Sequence, residues 1–190
     1  GAFYSSQDAD SEGIEGKFYV WTPQQISEVL TADQAKAFCT YYDISAIGNW
    51  EGVSIPHAPR SLQEVATQLH LETSDLSELL KDCRAELYES RKNRVAPETD
   101  DKIITAWNGM MISAMAQGYC LFGKPEYLDA ASDAANFIRN QLIDTDGHLL
   151  RTYRAGKAHL TGCLEDYAFL AEGLLDLYEA GGDSQYFVWC

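Results

Sequence analysis

The chain has 190 residues, 46% hydrophobic and 12% aromatic, a composition that folds and excludes a disordered chain. Its formal net charge of −15 opposes a phosphate backbone, so nucleic acid is not an expected partner. No stretch of ~18 residues is apolar and uncharged, and no basic segment leads into an apolar one at the start, so neither a membrane span nor a signal peptide is expected.

The chain opens on Gly1 and stops at Cys190, and it reads as one domain over residues 1–190, cut from something longer. Cys39, Cys83, Cys120, Cys163 and Cys190 are odd in number and contain no C-x-x-C pair. Neither a zinc site nor a disulfide framework follows from them, and no metal or other cofactor is expected. Free thiols of this kind suit a reducing, cytoplasmic setting.

Two aromatic runs, Phe3-Tyr4-Ser5 and Phe18-Tyr19-Val20-Trp21, read as strands on either side of an acidic, glycine-containing loop. Thr22-Pro23 then reads as an N-cap followed by a first-turn proline, opening a helix over residues 24–30. A second helix is expected over 32–42. Gly48, Gly52, Pro56 and Pro59 keep 43–60 irregular. Residues 61–70 place Leu62, Val65, Ala66 and Leu69 on one helical face. A longer helix is expected over 74–94, capped by Ser74 and basic at its end.

From 103 to 122 almost every residue is apolar or small, the pattern of a helix buried on all sides. Residues 125–142 carry a single apolar stripe, that of an outer helix. A hairpin turning at Gly156-Lys157 follows, and then an apolar-rich helix over 164–180. Inner helix, outer helix, hairpin and inner helix make a unit of roughly 60 residues that buries its inner helix only against its neighbours. About six such units would close a ring. The fold class is therefore mainly α: a partial α/α toroid with short β-hairpins between helices, of the six-hairpin glycosidase-like kind. A four-helix bundle is the competing architecture.

Several polar residues interrupt these patterns. Asp166 falls on the apolar face of the last helix, in line with Leu170, Gly173 and Leu177. It is either a carboxylate bonded to the backbone at the helix start or a cavity-lining acid or base. Glu165, Glu172, Asp176 and Glu179 form a solvated stripe instead. Asn108 interrupts the earlier inner helix beside Trp107. It serves either a structural bond or a sugar hydroxyl, with Trp107 as a stacking surface. Asp8 and Asp10 lie between the aromatic runs and are candidates for an acid/base pair in glycoside chemistry. The loop begins like a calcium site, but its twelfth position is Tyr19, not Glu. Alternation along the hairpin puts Arg151 and Tyr153 on one face and Arg154 on the other. His57 and His159 are lone histidines without a spaced partner.

The segments Tyr4-Ser5-Ser6-Gln7-Asp8-Ala9-Asp10-Ser11, Glu15-Gly16-Lys17-Phe18-Tyr19-Val20-Trp21, Gly48-Asn49-Trp50-Glu51-Gly52, Asp100-Asp101-Lys102-Ile103-Ile104-Thr105-Ala106-Trp107-Asn108-Gly109 and Leu164-Glu165-Asp166-Tyr167-Ala168-Phe169 occur in this order. Together they resemble the thioredoxin-domain-containing family typified by spermatogenesis-associated protein 20. The resemblance implies a thioredoxin-like domain, absent from this chain, joined to a toroid similar to those of N-acylglucosamine 2-epimerases and some glycosidases. The expectation is a carbohydrate-binding or carbohydrate-active toroid. Asp166, Asp8 and Asp10 are its acid/base candidates, and Trp107, Asn108, Tyr167 and Arg151 are its binding candidates. A non-catalytic module that docks a partner is the alternative. A sugar or other small molecule is the expected ligand, and exposed inner-helix flanks imply self-association of the chain.

Overall fold

The computed structural model describes residues 1–190. Its elements in chain order are β1 (Ser6–Gln7), β2 (Asp10–Ser11), β3 (Ile14–Glu15), α1 (Pro23–Val29), α2 (Ala32–Tyr41), α3 (Leu62–Leu69), α4 (Thr73–Arg91), β4 (Thr99–Asp100), β5 (Ile103–Ile104), α5 (Thr105–Phe122), α6 (Pro125–Gln141), β6 (Leu150–Arg154), β7 (Lys157–Thr161), α7 (Leu164–Gly181) and α8 (Ser184–Trp189). They form two compact units. One comprises Asp8–Glu98; the other comprises Gly1–Gln7 and Thr99–Cys190.

In the Asp8–Glu98 unit, three consecutive helices start with the same reciprocal device. Thr22 with Gln25, Thr31 with Gln34 and Ser61 with Glu64 each exchange side-chain and backbone hydrogen bonds across the first turn. The core gathers Ile26, Phe38, Val65, Leu76, Leu80 and Leu87, with Cys83 among them as a small hydrophobe. Burial pushes the Cys83 thiol up to about 11, so it stays protonated. Helix α4 begins one residue before the expected cap, and Ser74 lies inside its first turn.

The aromatic runs are not the strands. The short antiparallel pair β2–β3 lies in the acidic loop between them, with Asp10 opposite Glu15. Phe18 to Val20 form a turn in which the Tyr19 and Val20 amides both donate to the Gly16 carbonyl. The reason is a distant cation. The Arg94 guanidinium donates to the carbonyls of Phe18 at 3.0 Å and Val20 at 2.8 Å. It also stacks over Trp21, 3.9 Å from the ring centroid. A carbonyl row held by one guanidinium does not need a neighbouring strand.

In the other unit β5, β6 and β7 form an antiparallel sheet in that order, with Ile103 opposite Tyr153 and Thr152 opposite His159. Ala155 (φ 48°) and Gly156 (φ 80°) make its two-residue turn, whose left-handed backbone matches strand twist. Helix α6 presents one face, Ala131, Ala134, Ala135 and Ile138, to the core. Helices α5 and α7 are the expected neighbours, and Gly109 and Gly173 let their backbones meet. The expectation of all-round burial for α5 is corrected. Ala106, Asn108, Gly109, Ile112 and Ala116 are buried, but Trp107 is 48% exposed and Met110 44%. Asp176 also leaves the expected solvated stripe, because it accepts hydrogen bonds from Ser113 and Gln117 on α5.

The succession α5, α6, β6–β7 and α7 is the expected helix–helix–hairpin–helix order, and the fold is mainly α with short antiparallel strands. No helix is long and apolar enough to cross a membrane.

Candidate functional site

The chemistry-bearing residues of the unit formed by Gly1–Gln7 and Thr99–Cys190 gather at the N-terminal ends of α5 and α7. Asn108 is 1% exposed, and its amide is matched to backbone partners. Its Oδ1 accepts from the Phe3 amide at 2.8 Å. Its Nδ2 donates to the Phe3 and Ile104 carbonyls, each at 3.0 Å. Asn108 thus pairs with Phe3 as a strand residue would, and both its donors are spent. These are the bonds of the structural alternative, with the N-terminal segment as partner, and Asn108 also lines the cavity beside Trp107.

The pinned segment forms one wall of a cavity of about 390 Å3 at the start of α5, lined by Phe3, Tyr4, Ser5, Trp107, Met110 and Met111 among others. Tyr4 is 61% exposed. With Trp107 it supplies aromatic faces to a concave, largely apolar site.

Asp166 is fully buried. Its Oδ1 accepts from the Ala106 amide of α5 at 3.1 Å. Its Oδ2 accepts from the Cys163 amide at 3.0 Å and from Arg151 at 3.3 Å. One carboxylate therefore satisfies donors at the starts of both helices, where the dipoles favour negative charge. That is the bonding of the helix-start alternative, and Asp166 is not among the residues lining the Trp107 cavity.

Arg151 binds Glu165 at 2.6 Å as well as Asp166, and its Nη1 lies 2.6 Å from the Cys163 sulfur. The Glu165 hydrogen bond, with Asp166 and Cys163 nearby, raises the Arg151 pKa. Arg151 is thus a fixed cation on β6 that ties the hairpin to α7. Tyr167 faces another cleft, of about 220 Å3, together with Leu149, Leu174, Trp189 and Cys190. Its hydroxyl accepts from the Leu149 amide at 2.9 Å.

Asp8 and Asp10 lie in the Asp8–Glu98 unit, and both are exposed. Asp8 accepts from the Asp10 amide at 3.2 Å, a local turn bond, and Asp10 faces Glu15 across β2–β3. His57 lies in the same unit, 3.7 Å from Asp43. No three His, Cys, Asp or Glu side chains converge as a metal-binding group.

Sequence reasoning missed Cys163, Phe3 and Tyr4. For Cys163 a signal existed: Cys163-Leu164-Glu165-Asp166 has the spacing of a capping box with cysteine in place of serine. For Phe3 and the adjoining Tyr4 there was none, because the Asn108 that holds Phe3 lies about a hundred positions away.

The fold and this site define a mainly helical protein with short antiparallel strands and an aromatic cavity at the start of α5. No family model matches the chain. It is homologous over its whole length to proteins named spermatogenesis-associated protein 20, and the resemblance holds. The human protein is 30% identical over 223 aligned positions, and the mouse protein 32% over 225. The chain spans 28% of the length of each. A partial structural likeness, with TM-score 0.43 and 13% identity, is found to cellobiose 2-epimerase from Bacillus thermoamylovorans; it covers 58% of this chain and 35% of that one.

Proposed function

We propose that this chain is part of a carbohydrate-binding or carbohydrate-active protein, and that the cavity beside Trp107 takes the sugar. The observation that carries this reading is the half-exposed Trp107 and exposed Tyr4 around one concave space at the start of α5. A flat aromatic face next to a polar rim suits the C–H face and hydroxyl edge of a sugar ring. Asn108 and Asp166 act by position: Asn108 holds the Phe3–Tyr4 wall, and Asp166 fixes the start of α5 through Ala106. Five free thiols support a reducing, cytoplasmic setting.

Calorimetry of the intact protein against neutral mono- and disaccharides tests this. Trp107→Ala is expected to weaken the binding of the best sugar about tenfold. The melting temperature without ligand should stay near that of the wild type, because a half-exposed side chain contributes little to the core. Wild-type affinity in Trp107→Ala would remove the cavity from the proposal.

A second reading, a non-catalytic docking module, is favoured by the bare apolar side chains of the same unit. Leu164 is 84% exposed, Val188 83%, Leu121 78% and Phe122 68%. Apolar surface of this kind associates in water. The isolated 190-residue chain is expected to self-associate as concentration rises, read by light scattering. A monodisperse monomer at high concentration would count against it.

A further inference from the structure

A second cavity, of about 410 Å3, lies wholly within the Asp8–Glu98 unit. Its floor is apolar and buried: Trp21, Phe38 and Leu87 are 6%, 5% and 4% exposed. Its rim carries the rings of Tyr19, Tyr42 and Tyr88, and its only charged lining residues are Arg84 and Arg91. The two arginines lie seven positions apart on α4, about 10.5 Å along the axis and on one face of the helix.

These arginines differ from the ion-paired cations of the chain, and both line one apolar cleft. The chain has 29 acidic and 14 basic residues, and Lys17, Lys92, Lys102, Arg151 and Arg154 each pair with a carboxylate. Arg94 is taken up by backbone carbonyls. Arg84 and Arg91 make no ion pair. Arg84 donates to the Tyr42 hydroxyl at 3.0 Å. Arg91 lies over Phe18 and Tyr19, each at 5.3 Å, and over Tyr88 at 5.5 Å. Stacked on aromatic faces, its guanidinium keeps its planar edge of N–H donors for another acceptor. In so acidic a chain, two unpaired guanidiniums in one apolar cleft form a local positive site that an anion would complete.

We propose that this cleft binds a small organic anion, a carboxylate or phosphate group on a flat, apolar or aromatic body. The anionic group bridges Arg84 and Arg91, and the body lies among Trp21, Phe38 and the tyrosine rings. The cavity volume is within the range of small-molecule sites. Acidic residues of the chain would repel such a ligand elsewhere, so the cleft also selects by charge.

Calorimetry of the intact protein with 2-naphthoate, neutral 2-naphthamide, phenyl phosphate and inorganic phosphate tests the proposal. 2-Naphthoate, phenyl phosphate or both should bind saturably, and the stronger of the two identifies the anionic group. 2-Naphthamide should bind about tenfold more weakly than 2-naphthoate, and inorganic phosphate should be weaker than phenyl phosphate by at least as much. Arg91→Gln should weaken the anion about tenfold and leave the amide unchanged. Arg84→Gln, at an exposed position with one hydrogen bond to lose, should do the same with the fold intact. Trp107→Ala should leave anion binding untouched, which separates this site from the sugar cavity. Equal affinity for naphthoate and naphthamide would overturn the proposal, as would unchanged naphthoate binding in a folded Arg84→Gln, or inorganic phosphate binding as tightly as its phenyl ester.

Discussion

Gly109→Ala is expected to destabilise the α5–α7 unit by about 3 kcal/mol, among the largest effects of any single methyl group in the chain. A Cβ at Gly109 would lie 2.5 Å from both the carbonyl carbon and oxygen of Phe169 and 2.7 Å from the Leu170 nitrogen. All three are backbone atoms of α7, which do not swing aside as a side chain does. Gly173 returns the contact, for a Cβ there would strike the Gly109 carbonyl oxygen. Relief requires the two helices to separate, which opens the packing of Ile112, Leu170, Leu174 and Leu177. For a unit of this size each kcal/mol moves the melting temperature by roughly 4–8 °C. Gly118→Ala is the control. Its Cβ would lie 3.5 Å from the Tyr127 ring, an ordinary contact, so the helix should gain about 0.5–1 kcal/mol from the lost glycine flexibility. Paired melting curves decide it: if Gly109→Ala melts with the wild type, backbone contact is not what holds α5 to α7.

The features that were legible in the sequence are those whose causes are local. The helix start at Thr22-Pro23 was read from adjacent residues and is observed, and the caps at Thr31 and Ser61 likewise depend only on a residue three positions on. The one-sided stripe of α6 is likewise a property of its own sequence. Phe18 to Val20 misled because β-propensity measures fit to a pleated surface, whereas the Phe18 and Val20 carbonyls answer to Arg94, more than seventy positions away; Trp21 alone keeps a strand-like bridge, to Ser54. Asn108 and Asp166 were visible as polar residues on apolar faces, since a buried polar group needs a partner. Which partner was not visible: Phe3 for one, Ala106 and Arg151 for the other. The role of each residue turned on that missing contact. Trp107 was placed beside Asn108 by sequence alone, but its exposure depends on what covers the far side of α5, and periodicity carries no information about that.

Asp166→Asn is expected to destabilise the same unit by roughly 2–4 kcal/mol, although it changes no shape. The carboxylate has two oxygens, each facing a backbone N–H: Ala106 on Oδ1 at 3.1 Å and Cys163 on Oδ2 at 3.0 Å. An asparagine replaces one oxygen with an NH2 group. Either rotamer therefore turns a donor toward a donor and leaves a buried amide without an acceptor. Water does not reach the site to compensate, because Asp166 has no exposed surface. The lost charge adds less, since the Arg151 side chain is 35% exposed and keeps Glu165 at 2.6 Å. The effect should thus come mainly from the N–H groups at the two helix starts, and Arg151→Gln should cost well under half as much. Thermal or urea unfolding of the three proteins, followed by circular dichroism, separates the two roles of this carboxylate. A large loss in Asp166→Asn with a small one in Arg151→Gln is the helix-start result. Wild-type stability in Asp166→Asn would mean that the carboxylate is not needed for the fold, and the acid/base role would again be the better account of a buried aspartate at the inner-helix ends.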